Sequence, residues 1–226
     1  MLQLERNSLV WPTPEGWATL HAQALPDPVA QVVVQHWQAQ RLPLVVGRQT
    51  PMLVEGLITL GLPAPAQWGR RRLSFTVPLA QLAYSGPFPS LSDATQRQRW
   101  RRQAQALEQA LAECLGRGAA AVQVYGSYGW QCLTGLRYLH DDSDIDLRMA
   151  VPDLAAARSA IAVLEAQPLP CRIDGELVFR SGHAVAWREL AQLLQGQVPQ
   201  VIAKRLEGVA LLTLAELLPL DEAQPA

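Results

Sequence analysis

The first regular pattern of apolar residues lies between residues 28 and 40. Positions three and four apart are apolar there, which is the spacing of an amphipathic helix. One side of this predicted helix carries Val29, Val32, Val33, His36 and Trp37. Short apolar runs at 44–46 and 73–77 then predict two strands, and the turn-forming residues 85–89 mark the end of this part of the chain.

Beyond residue 87, helical and strand patterns alternate. The predicted elements are a helix from Ser92 or Asp93 to about Cys114, a strand at 121–125, a helix at 128–134, a strand at 144–150, a helix at 154–166 and a strand or hairpin at 171–179. Residues 183–194 have a helical pattern, whereas 201–214 fit either strands or a terminal helix. We therefore predict two domains, at 1–86 and 87–226, each containing helices and strands.

The composition is that of a globular protein, because 49% of the 226 residues are hydrophobic and 17% are charged. A net charge of -1 provides no general attraction to nucleic acid. The longest apolar stretch, 208–220, is interrupted by Glu216 and is too short to span a bilayer, and the N-terminus has no apolar signal-peptide core. The three cysteines lack metal-ligand spacing. We expect a cytoplasmic protein that binds neither nucleic acid nor a membrane.

Candidate chemistry begins with two carboxylates, Asp144 and Asp146. Side chains alternate along a strand, so these two would project on one side while Ile145 and Leu147 face the core. Adjacent carboxylates attract a hard cation such as Mg²⁺, which can polarise a phosphoryl group and activate a hydroxyl. The triplet alone, however, is more typical of a solvated acidic turn that precedes an exposed strand residue.

A second motif, Gly126-Ser127, follows a predicted strand and precedes a predicted helix. The free N–H groups and the positive end of a helix attract phosphate, and glycine permits close approach of the backbone. The Ser127 hydroxyl either binds a phosphate oxygen or only caps the helix. The motif is weak by itself and gains weight from the acids that follow it.

Together, the strand, the Gly126-Ser127 turn, the helix and the strand-borne acids resemble the signature of the nucleotidyltransferase superfamily, which includes DNA polymerase beta. The resemblance implies an α+β fold: a polymerase-beta-like catalytic domain with a mixed sheet flanked by helices, after a small N-terminal α/β domain for substrate or carrier binding. It also implies that Gly126 and Ser127 hold a triphosphate and that the acids ligate metal. A third carboxylate is usual on a later strand, and Asp174 is the candidate, although Asp174-Gly175 is equally typical of a hairpin turn.

A closer resemblance, over nearly the whole chain, is to the phosphoribosyl-dephospho-CoA transferases of the malonate decarboxylase system. It is carried by Leu9–Trp11, Pro43–Arg48, Gly126–Gln131, Ser143–Leu147, Ala203-Lys204 and Gly208–Leu211. The resemblance implies that a serine of the acyl-carrier protein attacks 2'-(5''-triphosphoribosyl)-3'-dephospho-CoA and releases diphosphate. It further implies catalytic Asp144 and Asp146, and Mg²⁺ or Mn²⁺ on Asp144, Asp146 and Asp174.

Lys204 is a candidate phosphate contact, because it interrupts an apolar segment, although its stem could merely cross apolar surface to reach water. Two other functions remain open at this point. The first is a nucleotidyltransferase that uses an ordinary nucleoside triphosphate and shares every metal ligand. The second is a non-catalytic module that binds a CoA-like ligand or assists assembly, against which the presence of both acids argues.

Overall fold

The computed structural model describes residues 4–49, 54–116, 122–166 and 169–218. The chain divides into two compact units. The first holds the described residues up to Phe88 together with Leu133–Tyr138 and Leu206–Gly208, and the second holds the remainder. Among the described helices, none combines the length and the apolar character needed to cross a membrane.

The first unit is a five-stranded sheet with two helices. Its strands are β1 (Leu9–Pro12), β2 (Leu44–Val46), β3 (Leu57–Pro63), β4 (Arg72–Pro78) and β5 (Leu82–Gly86), and its helices are α1 (Pro14–Ala24) and α2 (Pro28–Ala39). Short 3₁₀ turns lie at Ala66–Trp68 and Leu79–Gln81. The strand order is β4-β3-β2-β1-β5, and every neighbouring pair is antiparallel. This pairing distinguishes the unit from a parallel α/β sheet.

The predicted helix at 28–40 is confirmed as α2, but its buried face differs from the predicted one. Val29 and Val32 are 40% and 52% exposed, and the residues facing the core are Ala30, Val33, Val34 and Trp37. Asp27 fixes the start of α2 by accepting hydrogen bonds from the Val29 and Ala30 amides. The strands predicted at 44–46 and 73–77 are present as β2 and β4, whereas residues 82–86 form β5 and pair with β1.

The second unit is a six-stranded mixed sheet with helices. Its elements are α3 (Leu91–Thr95), α4 (Arg101–Leu115), β6 (Val122–Tyr125), α5 (Gly126–Thr134), β7 (Ile145–Ala150), α6 (Leu154–Ala166), β8 (Ile173–Val178), β9 (Ala184–Ala186), α7 (Trp187–Leu194), β10 (Val201–Lys204), β11 (Val209–Leu212) and α8 (Leu214–Leu217). The strand order is β11-β10-β9-β8-β7-β6. Among the described strands of this sheet, only β7 and β8 pair in parallel, as expected for strands joined through a crossover helix, α6.

The single helix predicted from Ser92 or Asp93 to Cys114 is wrong, because the structure has α3 and α4 there instead. Ser90 rather than Ser92 or Asp93 caps α3, with its hydroxyl oxygen 3.1 Å from the Asp93 amide. The buried Glu108 carboxylate of α4 accepts hydrogen bonds from the Leu91 amide at 2.8 Å and the Ser92 amide at 3.2 Å. The start of α3 must therefore fold back onto α4, which a continuous helix could not do.

Two further predictions are corrected in the second half of this unit. Asp174-Gly175 is not a hairpin turn, since both residues lie within β8. Gly175 has φ +144°, and a Cβ there would lie 2.7 Å from the Leu147 amide nitrogen, so glycine allows β8 to approach β7 closely. The helical segment predicted at 183–194 begins instead with β9, which pairs with β8 on one side and β10 on the other. Within residues 201–214, β10 and β11 form a hairpin that ends at Leu212, and Leu214 begins the short helix α8.

The two faces of this sheet differ in chemistry. Apolar side chains of the strands share one core with the helices, and they include Val122, Val124, Ile145, Leu147, Met149, Ile173 and Leu177. Strand alternation places the intervening residues on the opposite face. That opposite face carries every strand-borne charged residue of β7, β8 and β10.

Candidate active site

The polar face of the second unit's sheet presents charged residues on three strands. Asp146 and Arg148 of β7 lie directly opposite Asp174 and Glu176 of β8. Lys204 of β10 belongs to the same face, because it aligns with Ala184 of β9. The parallel pairing of β7 with β8 therefore brings together acids that are far apart in the sequence.

Asp146 is at the centre of this group. Desolvation by burial, followed by the negative charges of Asp174, Asp144 and Glu176, raises the pKa of Asp146 to about 6. Asp144 immediately precedes β7, and its charge acts on Asp146 from the same end of the strand. The four carboxylates thus form one electrostatically coupled cluster, which includes all three acids predicted as metal ligands.

The Gly126-Ser127 turn adjoins the cluster. Gly126 directly follows β6, whose last residue, Tyr125, pairs with Asp146. Its φ is +61°, and a Cβ at this position would overlap the Asp146 carboxylate, with Asp146 Cγ only 2.8 Å away. The helix α5 begins at Gly126, two residues earlier than predicted, so Ser127 lies in its first turn. The backbone N–H groups at the start of this helix and the carboxylates therefore meet at one place.

Lys204 is held by a specific partner that the sequence did not indicate. Its Nζ donates to Glu176 Oε1 at 2.8 Å, and the Glu176 side chain is only 4% exposed whereas that of Lys204 is 37% exposed. Lys204 reaches Glu176 across β9, where the facing residues, Ala184 and Ala186, are small. The ammonium group is thus fixed beside the carboxylate cluster and remains partly accessible.

The donor groups fit a hard divalent cation by charge and by type. Carboxylate oxygens are the ligands that Mg²⁺ prefers. Burial, followed by the negative charges of Asp174 and Asp144, raises the pKa of Asp146, and a bound cation would offset both effects. Within the parts of the chain that the structure describes, no three His, Cys, Asp or Glu side chains are already grouped as ready metal ligands. A cation would therefore have to draw the carboxylates together.

Sequence reasoning missed Glu176 and Arg148 as members of this face. Both are buried, at 3% and 9% exposure, although both carry a charge. A signal was available, since Glu176 follows Asp174 with the same two-residue spacing that joins Asp144 to Asp146. The competing interpretation of Asp174-Gly175 as a turn concealed it, because a turn would break the alternation.

Comparison with known proteins gives two matching family models that meet end to end. Residues 5–88 match the model described as "Phosphoribosyl-dephospho-CoA transferase MdcG N-terminal domain". Residues 89–215 match the one described as "Phosphoribosyl-dephospho-CoA transferase MdcG C-terminal domain". All the candidate site residues fall within the second match. No solved structure matches the chain.

Curated relatives named phosphoribosyl-dephospho-CoA transferase are similar to the chain over most of its length. One from Xanthomonas campestris pv. campestris (strain 8004) is 34% identical over 95% of this chain and 96% of its own. One from Xanthomonas euvesicatoria pv. vesicatoria is 34% identical over 96% and 98%, respectively. One from Bradyrhizobium diazoefficiens is 32% identical over 92% and 89%.

Proposed function

Because the chain belongs to the phosphoribosyl-dephospho-CoA transferase family, we propose that it attaches the phosphoribosyl-dephospho-CoA prosthetic group to a serine of the malonate decarboxylase acyl-carrier protein. The donor is 2'-(5''-triphosphoribosyl)-3'-dephospho-CoA. The observation that carries the proposal at atomic level is the placement of Asp146 between Asp174 and the Gly126-Ser127 turn. This arrangement supports phosphoryl transfer rather than passive ligand binding.

The reaction exchanges one phosphorus–oxygen bond for another. The serine Oγ forms a bond to the α-phosphorus of the donor, and the bond from that phosphorus to the oxygen bridging to the β-phosphate breaks. Diphosphate leaves with its bridging oxygen, and the serine proton is released. The product is a phosphodiester that links the carrier serine to the ribose.

Different residues of the chain have different roles in this reaction. The first-turn N–H groups at Gly126 and Ser127 bind the oxygens of the triphosphate, and the Lys204 ammonium stabilises the negative charge of the departing diphosphate. Asp144, Asp146 and Asp174 would hold Mg²⁺ or Mn²⁺, which when bound would polarise the phosphoryl group and lower the pKa of the attacking hydroxyl.

The fold supports assignment of the second unit to the nucleotidyltransferase class. Asp144 and Asp146 lie at the start of β7 in a mixed sheet. On one side β7 pairs with β6, which leads into the Gly126-Ser127 turn, and on the other side it pairs with β8, which carries Asp174. Helices cover the opposite face through a shared core. This is the arrangement expected of a polymerase-beta-like catalytic domain.

The direct test is a transfer assay on the full chain with Mg²⁺, apo-acyl-carrier protein and either triphosphoribosyl-dephospho-CoA or ATP. We expect the carrier to gain the mass of phosphoribosyl-dephospho-CoA with the first donor and no mass with ATP. An adduct formed from ATP alone would replace the proposal by an ordinary nucleotidyltransferase. Removal of the divalent cation with EDTA should stop transfer, and turnover in EDTA would refute the metal-dependent part.

Variants of neighbouring acids connect the activity to the cluster. Asp144→Asn and Asp146→Asn should each reduce transfer by at least about a hundredfold, because each removes a charged ligand of the cation that would polarise the reacting phosphate. Asp142→Asn is the matched control, since Asp142 is an exposed acid two residues before Asp144. Near-normal turnover of either cluster variant would contradict its role.

A further inference from the structure

The second unit also has a pocket of about 570 Å³ beside the start of β8. It lies among the end of α6, the segment that leads into β8, and one side of α7. Its volume is within the range of small-molecule sites. Neither the acids nor the Gly126-Ser127 turn line it.

One side of α7 supplies the pocket's polar chemistry. Arg188 and Gln192 line the pocket four residues apart on one face of α7, and Gln195, the C-cap residue that follows α7, extends the same side of the helix. Gln195 Oε1 accepts a hydrogen bond from Gln197 Nε2 at 2.7 Å, which orients the Gln195 amide. The pocket thus offers amide groups, which can both donate and accept hydrogen bonds.

Arg188 forms a planar surface that is fixed on two sides. Its guanidinium carbon lies 4.1 Å from the Trp187 ring centroid, and its Nη2 donates to the Ile173 carbonyl at 3.0 Å. A guanidinium group placed over an indole ring is a stacking partner for a heteroaromatic ring. Leu164 and Ala191 add apolar lining.

The pocket adjoins the carboxylate cluster through Arg172. This residue lines the pocket, and its Nη2 lies 3.9 Å from Asp174 Oδ2, with the Arg172 side chain 60% exposed. Glu165 of α6 also lines the pocket, and its negative charge disfavours an anion inside it. The charges therefore suit a ligand with a neutral ring in the pocket and phosphates directed toward Arg172.

We propose that this pocket binds the adenine ring of the donor, with the ring stacked on Arg188 and its edge hydrogen-bonded by Gln192 and Gln195. This assignment rests on the proposed function. It identifies the part of the donor that the chain recognises at a distance from the reacting phosphate. A glutamine amide pairs with the N6 and N7 atoms of adenine through two hydrogen bonds. The adenine ring is uncharged at neutral pH, in keeping with Glu165 beside it.

The test is calorimetric titration of the full chain with dephospho-CoA, which contains adenine and cannot react. Gln192→Leu and Gln195→Leu should each raise its Kd about tenfold, the size expected for loss of a hydrogen-bonded contact to a base edge. In the transfer assay both should raise KM for the donor by a similar factor and leave kcat within about twofold. Gln200→Leu changes an exposed glutamine outside the pocket and is the matched control.

The outcomes separate this inference from the proposed function. If the wild-type chain transfers the prosthetic group and both pocket variants keep its Kd and KM, the pocket assignment is wrong and the transferase stands. If the chain binds dephospho-CoA in a Gln192-dependent way but modifies no carrier, the pocket assignment stands and the transferase falls. A KM change confined to the carrier protein would also overturn the adenine assignment.

Discussion

The backbone of Gly126 lies against the carboxylate of Asp146, so closely that a single methyl group on Gly126 would occupy the space of the carboxylate oxygens. Two constraints require a glycine at position 126. Its φ of +61° is unfavourable for residues with a side chain, and the approach of Asp146 excludes any Cβ. The turn that would bind phosphate and the acid that would bind the cation are consequently fixed relative to each other.

We predict that Gly126→Ala reduces kcat for prosthetic-group transfer by about a hundredfold, because displacement of catalytic groups by about 1 Å can cost that much. Gly116→Ala is the control for backbone strain. Gly116 has a similar φ, +64°, at the end of α4, and nothing lies within 4 Å of its Cβ position. It should lower stability by about 1 kcal/mol and leave kcat unchanged. Equal kcat losses in both variants would indicate strain alone.

A second prediction concerns the stability cost of Asp146. Its folded pKa of about 6 exceeds the unfolded value of about 4, so the folded state retains a proton that the unfolded state releases between these pH values. The free energy of unfolding should therefore fall as pH rises through this window. Asp146→Asn should make the chain more stable by about 2 kcal/mol at pH 8 in EDTA, and this gain should shrink toward pH 4.

Urea unfolding at several pH values, with and without Mg²⁺, measures this effect. Mg²⁺ should stabilise the wild-type chain more than the Asp146→Asn variant, because the cation offsets the repulsion that the substitution removes. Asp142→Asn, which changes an exposed acid, should show neither effect. A wild-type chain that is more stable than Asp146→Asn at pH 8 without cation would contradict the electrostatic account.

Short sequence patterns predicted the features of the candidate site that depend only on neighbouring residues. The alternation of Asp144 to Leu147 and the Gly126-Ser127 turn each require only a strand end or a helix start, and the structure has both. The Lys204–Glu176 pair depends instead on the register of β8, β9 and β10 and on two alanines between them. Such a contact is set by non-local pairing, which no short sequence window contains.

The secondary structure shows the same difference between elements set by neighbouring residues and elements set by contacts between residues far apart in the sequence. The helix α6 agrees with its predicted bounds because its apolar spacing alone specifies it. The break between α3 and α4 was not predicted, since it depends on Glu108 binding amides 16 and 17 residues earlier in the chain. Strand β3 was not predicted, although Ile58, Leu60 and Leu62 alternate toward the core, because Gly61 and Pro63 are residue types that are depleted in strands.

A third prediction distinguishes a phosphate-binding Lys204 from a structural one. Lys204→Met removes the ammonium that pairs with the buried Glu176 carboxylate, and it should lower both stability and transfer. Glu176→Gln in the same chain removes the carboxylate charge, so the double variant should regain about 1 to 3 kcal/mol of stability. Transfer should stay low in the double variant, because the charge that stabilises diphosphate is still absent.

The measurement is a double-mutant cycle in which unfolding free energy and kcat/KM are determined for each variant. Lys204→Arg provides the conservative comparison, since it keeps a positive charge on the same strand. We expect it to retain more activity than Lys204→Met. Full recovery of transfer in the double variant would mean that Lys204 acts only through folding.

The last prediction tests the carboxylate that joins α3 to α4. Glu108 is 6% exposed and accepts hydrogen bonds from the Leu91 and Ser92 amides, so Glu108→Ala leaves a buried donor at Leu91 without this partner. Loss of a buried hydrogen bond of this kind costs about 1 to 3 kcal/mol. Glu113→Ala is the control on the same helix, because Glu113 is exposed and loses only a 3.2 Å bond from Gln109. It should change stability by less than about 0.5 kcal/mol. Hydrogen exchange of the Leu91 amide should accelerate in Glu108→Ala alone, and equal protection in both variants would show that Glu108 does not hold α3 in place.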